Sequence, residues 1–354
     1  RGLRSHKNLL SLRQESGGNL TLTTAVIYGT RPEAIKLGPV VRELRALEAP
    51  PLVIATGQHE SLLLGTPAET DLNSGIFLNM PSDDHPFQWT EQAAELLASL
   101  LRTRNPQAVI VQGDTASALA GARAANSAGI LLIHVEAGVR SGTLADPFPE
   151  EKIRMEIDAL SDLLLAPTEH CRTNLWNELP NVRYGNQVVE PTGNSGISAL
   201  ALYTAARPQA ESGNRILVTL HRRELRTHPN CKERLKALFG AMSDWSEVGF
   251  LWPVHPAMRP FLPEGVPHNL NLVTPLSYGE CAVTISRARG VLTDSGGIAE
   301  EAAALGIPCV HARFATDRPE AIEASIASCL PPTPRGFHEA VELLAQQKLP
   351  RKPS

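Results

Sequence analysis

The sequence lacks the cysteine patterns of a secreted or zinc-binding protein. Its five cysteines are scattered, and no two of them form a Cys-x-x-Cys pair, which argues against both a disulfide framework and a zinc site. This usage is typical of the reducing cytoplasm, where we expect the protein to be located.

Long apolar runs and excess basic charge are also missing. No uninterrupted apolar stretch approaches the roughly 20 residues that a membrane-spanning helix needs. The formal net charge of -4 argues against a nucleic-acid-binding protein, which carries a basic surface. We therefore expect a small-molecule partner, and neither a nucleic acid nor a membrane.

The 354 residues are enough for two domains, each with its own core. The first 19 residues are polar and basic, and we expect them to be an unstructured extension. After them, β-branched apolar strands alternate with helical segments, which predicts two doubly wound α/β domains over residues 20–190 and 191–354. We place the linker near Val188 to Pro191 and expect the two domains to face a central cleft, a preferred ligand site.

Four predicted strands of the first domain are each followed by a side chain suited to chemistry: Arg31, His59, Asp114 and Glu136. Any one of them alone is better interpreted as a capping or surface residue. Ligands of open parallel sheets bind at the carboxyl ends of the strands, so the four together favour a site. Glu150 opens a later helix, where the helix dipole stabilises a carboxylate even without a function.

The sequence pattern of the segment Val291 to Val310 predicts a strand, a tight turn, a helix and a second strand. Its turn, Asp294-Ser295-Gly296-Gly297, has the small residues that let a backbone approach a ligand closely. A helix beginning there directs free N–H groups at the turn, which suits a diphosphate. An ordinary N-cap by Ser295 explains the same pattern equally well.

Ten motifs then occur in a fixed order: GTRPEAIKLGPVVREL, TGQH, QGDT, HVEAGVRSG, PEEKIR, PTGN, HRRE, PVHP, TDSGGIAEEAAALGIP and TDRPEA. Over roughly residues 21–330 the chain resembles the non-hydrolysing bacterial UDP-N-acetylglucosamine 2-epimerases. The resemblance implies the glycosyltransferase-B architecture, a homodimer, and interconversion of UDP-GlcNAc and UDP-ManNAc with no metal and no cofactor. In that family UDP is eliminated to leave a 2-acetamidoglucal and is then added back. The absence of a Gly-x-Gly-x-x-Gly fingerprint agrees with a reaction that uses no nicotinamide.

The resemblance also implies roles for individual residues. The predicted catalytic set contains three carboxylates for proton transfer at C2 and a histidine near the leaving diphosphate: Asp114, Glu136, Glu150 and His221. The predicted substrate-binding set contains cations, the small-residue turn and a ribose-binding carboxylate: Arg31, Lys36, His59, Arg154, Arg222, His255, Ser295, Gly296, Gly297, Glu301, Arg313 and Arg318.

Three alternatives stay open at this point. A glycosyltransferase of the same architecture would bind the same nucleotide sugar, but it needs one base rather than three carboxylates. A hydrolysing epimerase would release UDP and free ManNAc, because water would capture the glucal before UDP returned. A catalytically silent sensor of nucleotide sugars would have no need for the carboxylates and the histidine.

Overall fold

The structure is a computed structural model, which describes residues 23–57, 71–72, 75–80, 86–144, 148–204, 213–314 and 327–350. The described residues form two compact units, one ending at Ala199 and the other beginning at Leu200. Each unit is a parallel sheet with helices on both faces, which confirms the predicted α/β class. Among the described helices, none combines the length and the apolar character needed to cross a membrane.

Unit 1 contains a seven-stranded sheet in the order β3-β2-β1-β4-β5-β6-β7, and all of its paired strands are parallel. Its strands are β1 (Thr24–Tyr28), β2 (Leu52–Ala55), β3 (Ile76–Phe77), β4 (Ala108–Gln112), β5 (Leu131–Val135), β6 (Leu163–Ala166) and β7 (Val188–Pro191). Its helices are α1 (Arg31–Ala46), α2 (Pro86–Arg104), α3 (Ala116–Ala128), α4 (Glu150–Leu160), α5 (Glu169–Glu178) and α6 (Pro180–Arg183). Helix α7 (Ser195–Thr204) contains the boundary with unit 2.

The core of unit 1 lies on both faces of this sheet, because successive strand residues point to opposite sides. Ala25 and Ile27 of β1 pack with residues of α2, α3 and α4. Val26 and Tyr28 of the same strand pack with residues of α1 on the other side. Such two-sided burial explains why the strands are continuous apolar runs.

Unit 2 repeats this plan with a six-stranded parallel sheet in the order β10-β9-β8-β11-β12-β13. Its strands are β8 (Arg215–Thr219), β9 (Gly249–Pro253), β10 (Leu270–Val273), β11 (Gly290–Thr293), β12 (Cys309–Ala312) and β13 (Ala327–Leu330). Its helices are α8 (Arg223–Arg226), α9 (Cys231–Ser243), a 3₁₀ helix (Pro256–Phe261), α10 (Tyr278–Arg287), α11 (Gly296–Ala304) and α12 (Pro334–Ala345). Helices α9 and α12 cover one face, and α10 and α11 cover the other.

Both sheets reverse their winding direction at one pair of neighbouring strands. The pair is β1 and β4 in unit 1, and β8 and β11 in unit 2. Ligands of doubly wound sheets bind outside the carboxyl ends of the strands at this reversal. The segments that directly follow these four strands carry Arg31, Asp114, His221 and Ser295, so these predicted residues stand where the topology favours a site.

Two sequence-based boundaries are wrong. Val188–Pro191, predicted as a linker, is strand β7, which pairs with β6 and forms the edge of the first sheet. Helix α1 begins at Arg31, before the predicted Pro32 or Glu33, because Thr30 and Glu33 form a capping box. Arg31 is therefore the first residue of a helix and does not lie in the turn before it.

Candidate active site

Glu136 lies directly after β5 with a backbone φ of 71°, in the left-handed region that non-glycine residues seldom adopt. One carboxylate oxygen, Oε2, accepts hydrogen bonds from Lys36 Nζ at 2.5 Å and from Gln112 Nε2 at 2.7 Å. The backbone N–H groups of Glu136 and Ala137 both donate to the carbonyl of Leu165. These contacts hold an uncommon backbone conformation, which is a frequent property of functional sites.

Asp114 follows β4 and Gly113, whose φ is 74°. Its carboxylate accepts a hydrogen bond from the buried guanidinium of Arg154 on α4. Helix α4 begins at Glu150, and residues four positions apart lie on one face of a helix. The same face of α4 therefore carries Glu150 and, one turn later, the cation that holds Asp114.

Glu33 joins the segments that follow β1 and β4 by hydrogen bonds. It was not predicted to belong to the site. It accepts hydrogen bonds from the N–H groups of Gly29 at 3.0 Å and Thr30 at 2.7 Å, and from the Thr115 hydroxyl at 2.6 Å. Burial raises the pKa of the Glu33 carboxyl, although these hydrogen bonds oppose the shift. The spacing of Thr30 and Glu33 matches a capping box, which is the signal that could have revealed it.

In unit 2, His221 and Arg222 follow β8 beside Asp294, which follows β11. Both backbone N–H groups donate to Asp294 Oδ2 at 2.8 Å. The other carboxylate oxygen lies 3.3 Å from Nδ1 of His221. Burial raises the pKa of Asp294, and the charge of His221 opposes this shift. Asp294 therefore fixes the turn that carries the predicted catalytic histidine, and sequence reasoning gave it no role of its own.

His255 follows β9, and its ring stacks on that of His221 with 5.9 Å between the centroids. Burial, followed by the positive charges of His221 and Arg226, lowers the pKa of His255. The structure thus brings the two predicted histidines together at neighbouring strand ends.

The turn after β11 forms the N-terminus of α11. Ser295 is the N-cap, and its hydroxyl accepts from the N–H of Ile298 at 3.5 Å. Gly296 and Gly297 are the first two residues of the helix. A Cβ built on Gly297 would have Ser295 Oγ, 4.0 Å away, as its nearest described neighbour, so the glycine leaves open space there.

The remaining predicted residues are more dispersed. Glu301 is on α11 beside the Tyr278 hydroxyl; burial and then the Glu301 charge raise the pKa of Tyr278. Arg313 follows β12 and is buried, and its carbonyl accepts from Cys329 Sγ at 3.3 Å. His59 and Arg318 lie outside the residues that the structure describes. Within those residues, no group of three or more His, Cys, Asp or Glu side chains is arranged to hold a metal ion.

Comparison with known proteins gives one consistent result. The family model described as UDP-N-acetylglucosamine 2-epimerase matches residues 42–353. The UDP-N-acetylglucosamine 2-epimerase of Bacillus subtilis is 34% identical over 319 residues, covering 86% of this chain and 82% of the relative. That of Methanocaldococcus jannaschii is 31% identical over 347 residues, covering 92% of each chain.

Solved structures give the same family. The structure of S. aureus MnaA with UDP is similar with a TM-score of 0.81 at 29% identity, and the match covers 91% of this chain and 88% of that one. The UDP-GlcNAc 2-epimerase of Neisseria meningitidis bound to UDP-GlcNAc gives a TM-score of 0.80 at 30% identity, covering 92% of each chain. These matches confirm the predicted architecture of two doubly wound domains.

Proposed function

The chain belongs to the UDP-N-acetylglucosamine 2-epimerase family, a family of isomerases, and from this premise we propose that it interconverts UDP-GlcNAc and UDP-ManNAc. The observation that carries the proposal is the pair of anchored carboxylates in unit 1. Glu136 is held by Lys36 and Gln112, and Asp114 is held by Arg154. Inversion at C2 needs a base on one face of the sugar and an acid on the other. Two separately anchored carboxylates can serve as this base and this acid.

In the proposed reaction a carboxylate removes the C2 proton. The electron pair of the C–H bond forms the C1–C2 double bond. The C1–O bond breaks at the same time, and UDP leaves with the electron pair of that bond. Delivery of a proton to the opposite face of C2 and re-addition of UDP at C1 then give the epimer. Asp114, Glu136 and Glu150 are the proposed proton-transfer groups.

The proposal assigns the nucleotide to unit 2. The N-terminus of α11, with Ser295, Gly296 and Gly297, would receive the diphosphate, since free N–H groups and the helix dipole favour anions there. His221 and Arg222 would offset the charge that grows on departing UDP. Structures of relatives from S. aureus and Neisseria meningitidis hold UDP and UDP-GlcNAc, which supports a UDP-sugar as the substrate. We also propose that the protein is a cytoplasmic homodimer. Light scattering in solution tests the oligomeric state.

The decisive experiment incubates the protein with UDP-GlcNAc in deuterated water containing a chelator, and follows the products by NMR. We expect an equilibrium mixture of UDP-GlcNAc and UDP-ManNAc, with deuterium at C2 of both sugars. Accumulation of UDP and free ManNAc would identify a hydrolysing enzyme instead. Epimer with unlabelled C2 would overturn the elimination mechanism, and turnover only without the chelator would overturn the proposal that no metal is needed.

A further inference from the structure

Helix α4 carries a third polar residue on the face that bears Glu150 and Arg154. Asp158 lies one further turn along, and residues repeating every four positions stay on one side of a helix. Its side chain is completely buried. Its partner is His134, and the role of both residues rests on the proposed function of the carboxylates that follow β4 and β5.

Both oxygens of Asp158 have partners. Oδ1 lies 2.7 Å from Nδ1 of His134. Oδ2 lies 2.8 Å from the Arg140 guanidinium and accepts from the N–H of Gly138 at 3.2 Å. Burial alone would raise the pKa of Asp158, but the charges and hydrogen bonds of His134 and Arg140 outweigh it and lower the pKa. Asp158 is therefore an ionised carboxylate inside unit 1.

His134 is equally buried, and its second ring nitrogen, Nε2, lies 2.9 Å from the carbonyl oxygen of Gly113. A carbonyl only accepts, so Nε2 must carry a hydrogen. The other nitrogen faces an ionised carboxylate, which also only accepts. The two contacts are satisfied together when the ring carries a hydrogen on each nitrogen, which is the imidazolium form.

The two ends of this buried pair reach the turns that carry the site carboxylates. His134 holds the carbonyl of Gly113, the residue before Asp114. Asp158 holds the N–H of Gly138, two residues after Glu136. Gly138 has a φ of 79°, and a Cβ there would come within 2.3 Å of the Cys171 carbonyl oxygen, so this turn has little freedom to move by itself.

We propose that Asp158 and His134 are positioning residues, which join helix α4 to both turns and so set the placement of Asp114 and Glu136 relative to Glu150. A contribution to stability alone is a weak explanation, since a buried ion pair is often no more stable than an apolar pair of similar volume. Placement matters more, because a displacement of about 1 Å in a reacting group can lower a rate by roughly 100-fold.

The kinetic test compares Asp158→Asn and His134→Gln with Gln187→Leu. Gln187 is a matched structural control, because its buried amide donates to the carbonyls of Asp158 and Ser161 at the end of the same helix, and neither of these hydrogen bonds involves a residue of the two turns. In the two test variants we expect kcat to fall by about 100-fold, with KM for UDP-GlcNAc and the affinity for UDP unchanged. In Gln187→Leu we expect a lower unfolding temperature and an unchanged kcat. Equal losses of kcat in all three variants, or an unchanged kcat in Asp158→Asn, would overturn the proposal.

A second measurement needs no turnover. In protein with ¹⁵N-labelled histidine, the His134 ring, identified by its loss in His134→Gln, should give two protonated nitrogens in the folded protein, as its two hydrogen-bond contacts require. A ring with a single protonated nitrogen would contradict the proposed pair. If the wild-type protein failed to epimerise UDP-GlcNAc, the proposed function would fail, but this spectrum would still test the buried pair.

Discussion

Lys36 and Glu136 are 100 residues apart in the chain, and Lys36 Nζ lies 2.5 Å from the Glu136 carboxylate. The contact is largely shielded from water, with 18% of the lysine side chain and 10% of the glutamate side chain exposed. Removing one partner of a shielded ion pair leaves the other charge without compensation, which is far more harmful than losing an exposed pair. Lys36 therefore helps to fix the direction in which the Glu136 carboxylate points.

Replacing Lys36 with methionine tests this dependence. We expect kcat to fall by about 100-fold, the usual scale for disturbing a positioned acid or base. We also expect a loss of about 1–3 kcal/mol in the free energy of unfolding, because a shielded carboxylate loses a charged donor. Steady-state kinetics and urea unfolding measure the two effects.

Lys348→Met is the matched control, since Lys348 pairs with Glu342 at 2.7 Å while 48% of each side chain is exposed. Such exposed pairs contribute about 1 kcal/mol or less, so kcat should be unchanged and stability nearly so. Similar effects of the two substitutions would show that the Lys36 contact has no special role.

Replacing Glu136 with glutamine should separate chemistry from nucleotide binding. The proposed nucleotide contacts are all in unit 2, so the affinity for UDP should equal that of the wild type by calorimetry. Turnover should fall by about 100-fold or more, since an amide cannot transfer the C2 proton. Loss of UDP binding with unchanged turnover at saturation would contradict the roles proposed for the two units.

The positions of Asp114 and Glu136 could be predicted because each follows an apolar, β-branched strand, and parallel sheets collect such strand ends at one edge. The cations that hold them belong to the predicted set, but the other two polar groups near the turns could not be predicted. Gln112 is the last residue of a strand and His134 lies inside one. The hydrophobic pattern of the sequence therefore predicts only that both are ordinary strand residues. Only the register of β4 and β5 brings these side chains to the two turns.

The two wrongly predicted boundaries, the linker and the start of helix α1, also have physical reasons. Strand β7 is a short edge strand that ends at Pro191, and a proline there looks like the start of a linker because it cannot donate to a sheet ladder. Helix α1 begins at Arg31 because the Glu33 side chain reaches back to the N–H of Thr30. Without that hydrogen bond, the Pro32 that follows gives the stronger start signal.

The buried carboxyl of Glu33 predicts a pH dependence of stability. Its pKa in the folded protein is raised by burial above the value of about 4.3 for an unfolded chain. The folded state therefore keeps this proton to a higher pH than the unfolded state does. The corresponding stability is fully present below about pH 4 and is lost as the pH rises through the folded pKa.

Comparing wild type with Glu33→Gln isolates this charge. The amide loses part of the hydrogen bonding at every pH, but it does not titrate. As the pH rises above about 4, we expect the unfolding free energy of the wild type to fall relative to that of the variant, as measured by urea titration at each pH. A constant difference, or a change of opposite sign, would show that burial does not control this carboxyl.

Gly297 leaves open space at the N-terminus of α11. Gly297 is helical, and its φ is not positive, so alanine fits the backbone there without strain. Alanine favours helices over glycine by up to about 1 kcal/mol, so Gly297→Ala should leave stability equal or slightly higher. Its methyl group would occupy space that the proposal reserves for the diphosphate. We therefore expect UDP to bind at least about 10-fold more weakly, which corresponds to about 1.4 kcal/mol.

Gly240→Ala is the matched control, because Gly240 lies in helix α9 and a Cβ there meets no described atom within 4 Å. Thermal unfolding of this variant should show equal or slightly higher stability, as for Gly297→Ala. Calorimetry should show the UDP affinity of the wild type. If Gly297→Ala raises stability but weakens UDP binding, the N-terminus of α11 is a ligand site. If it were only an ordinary capped helix end, the substitution would leave UDP affinity unchanged. If Gly297→Ala bound UDP as tightly as Gly240→Ala does, the diphosphate would have to lie elsewhere in unit 2.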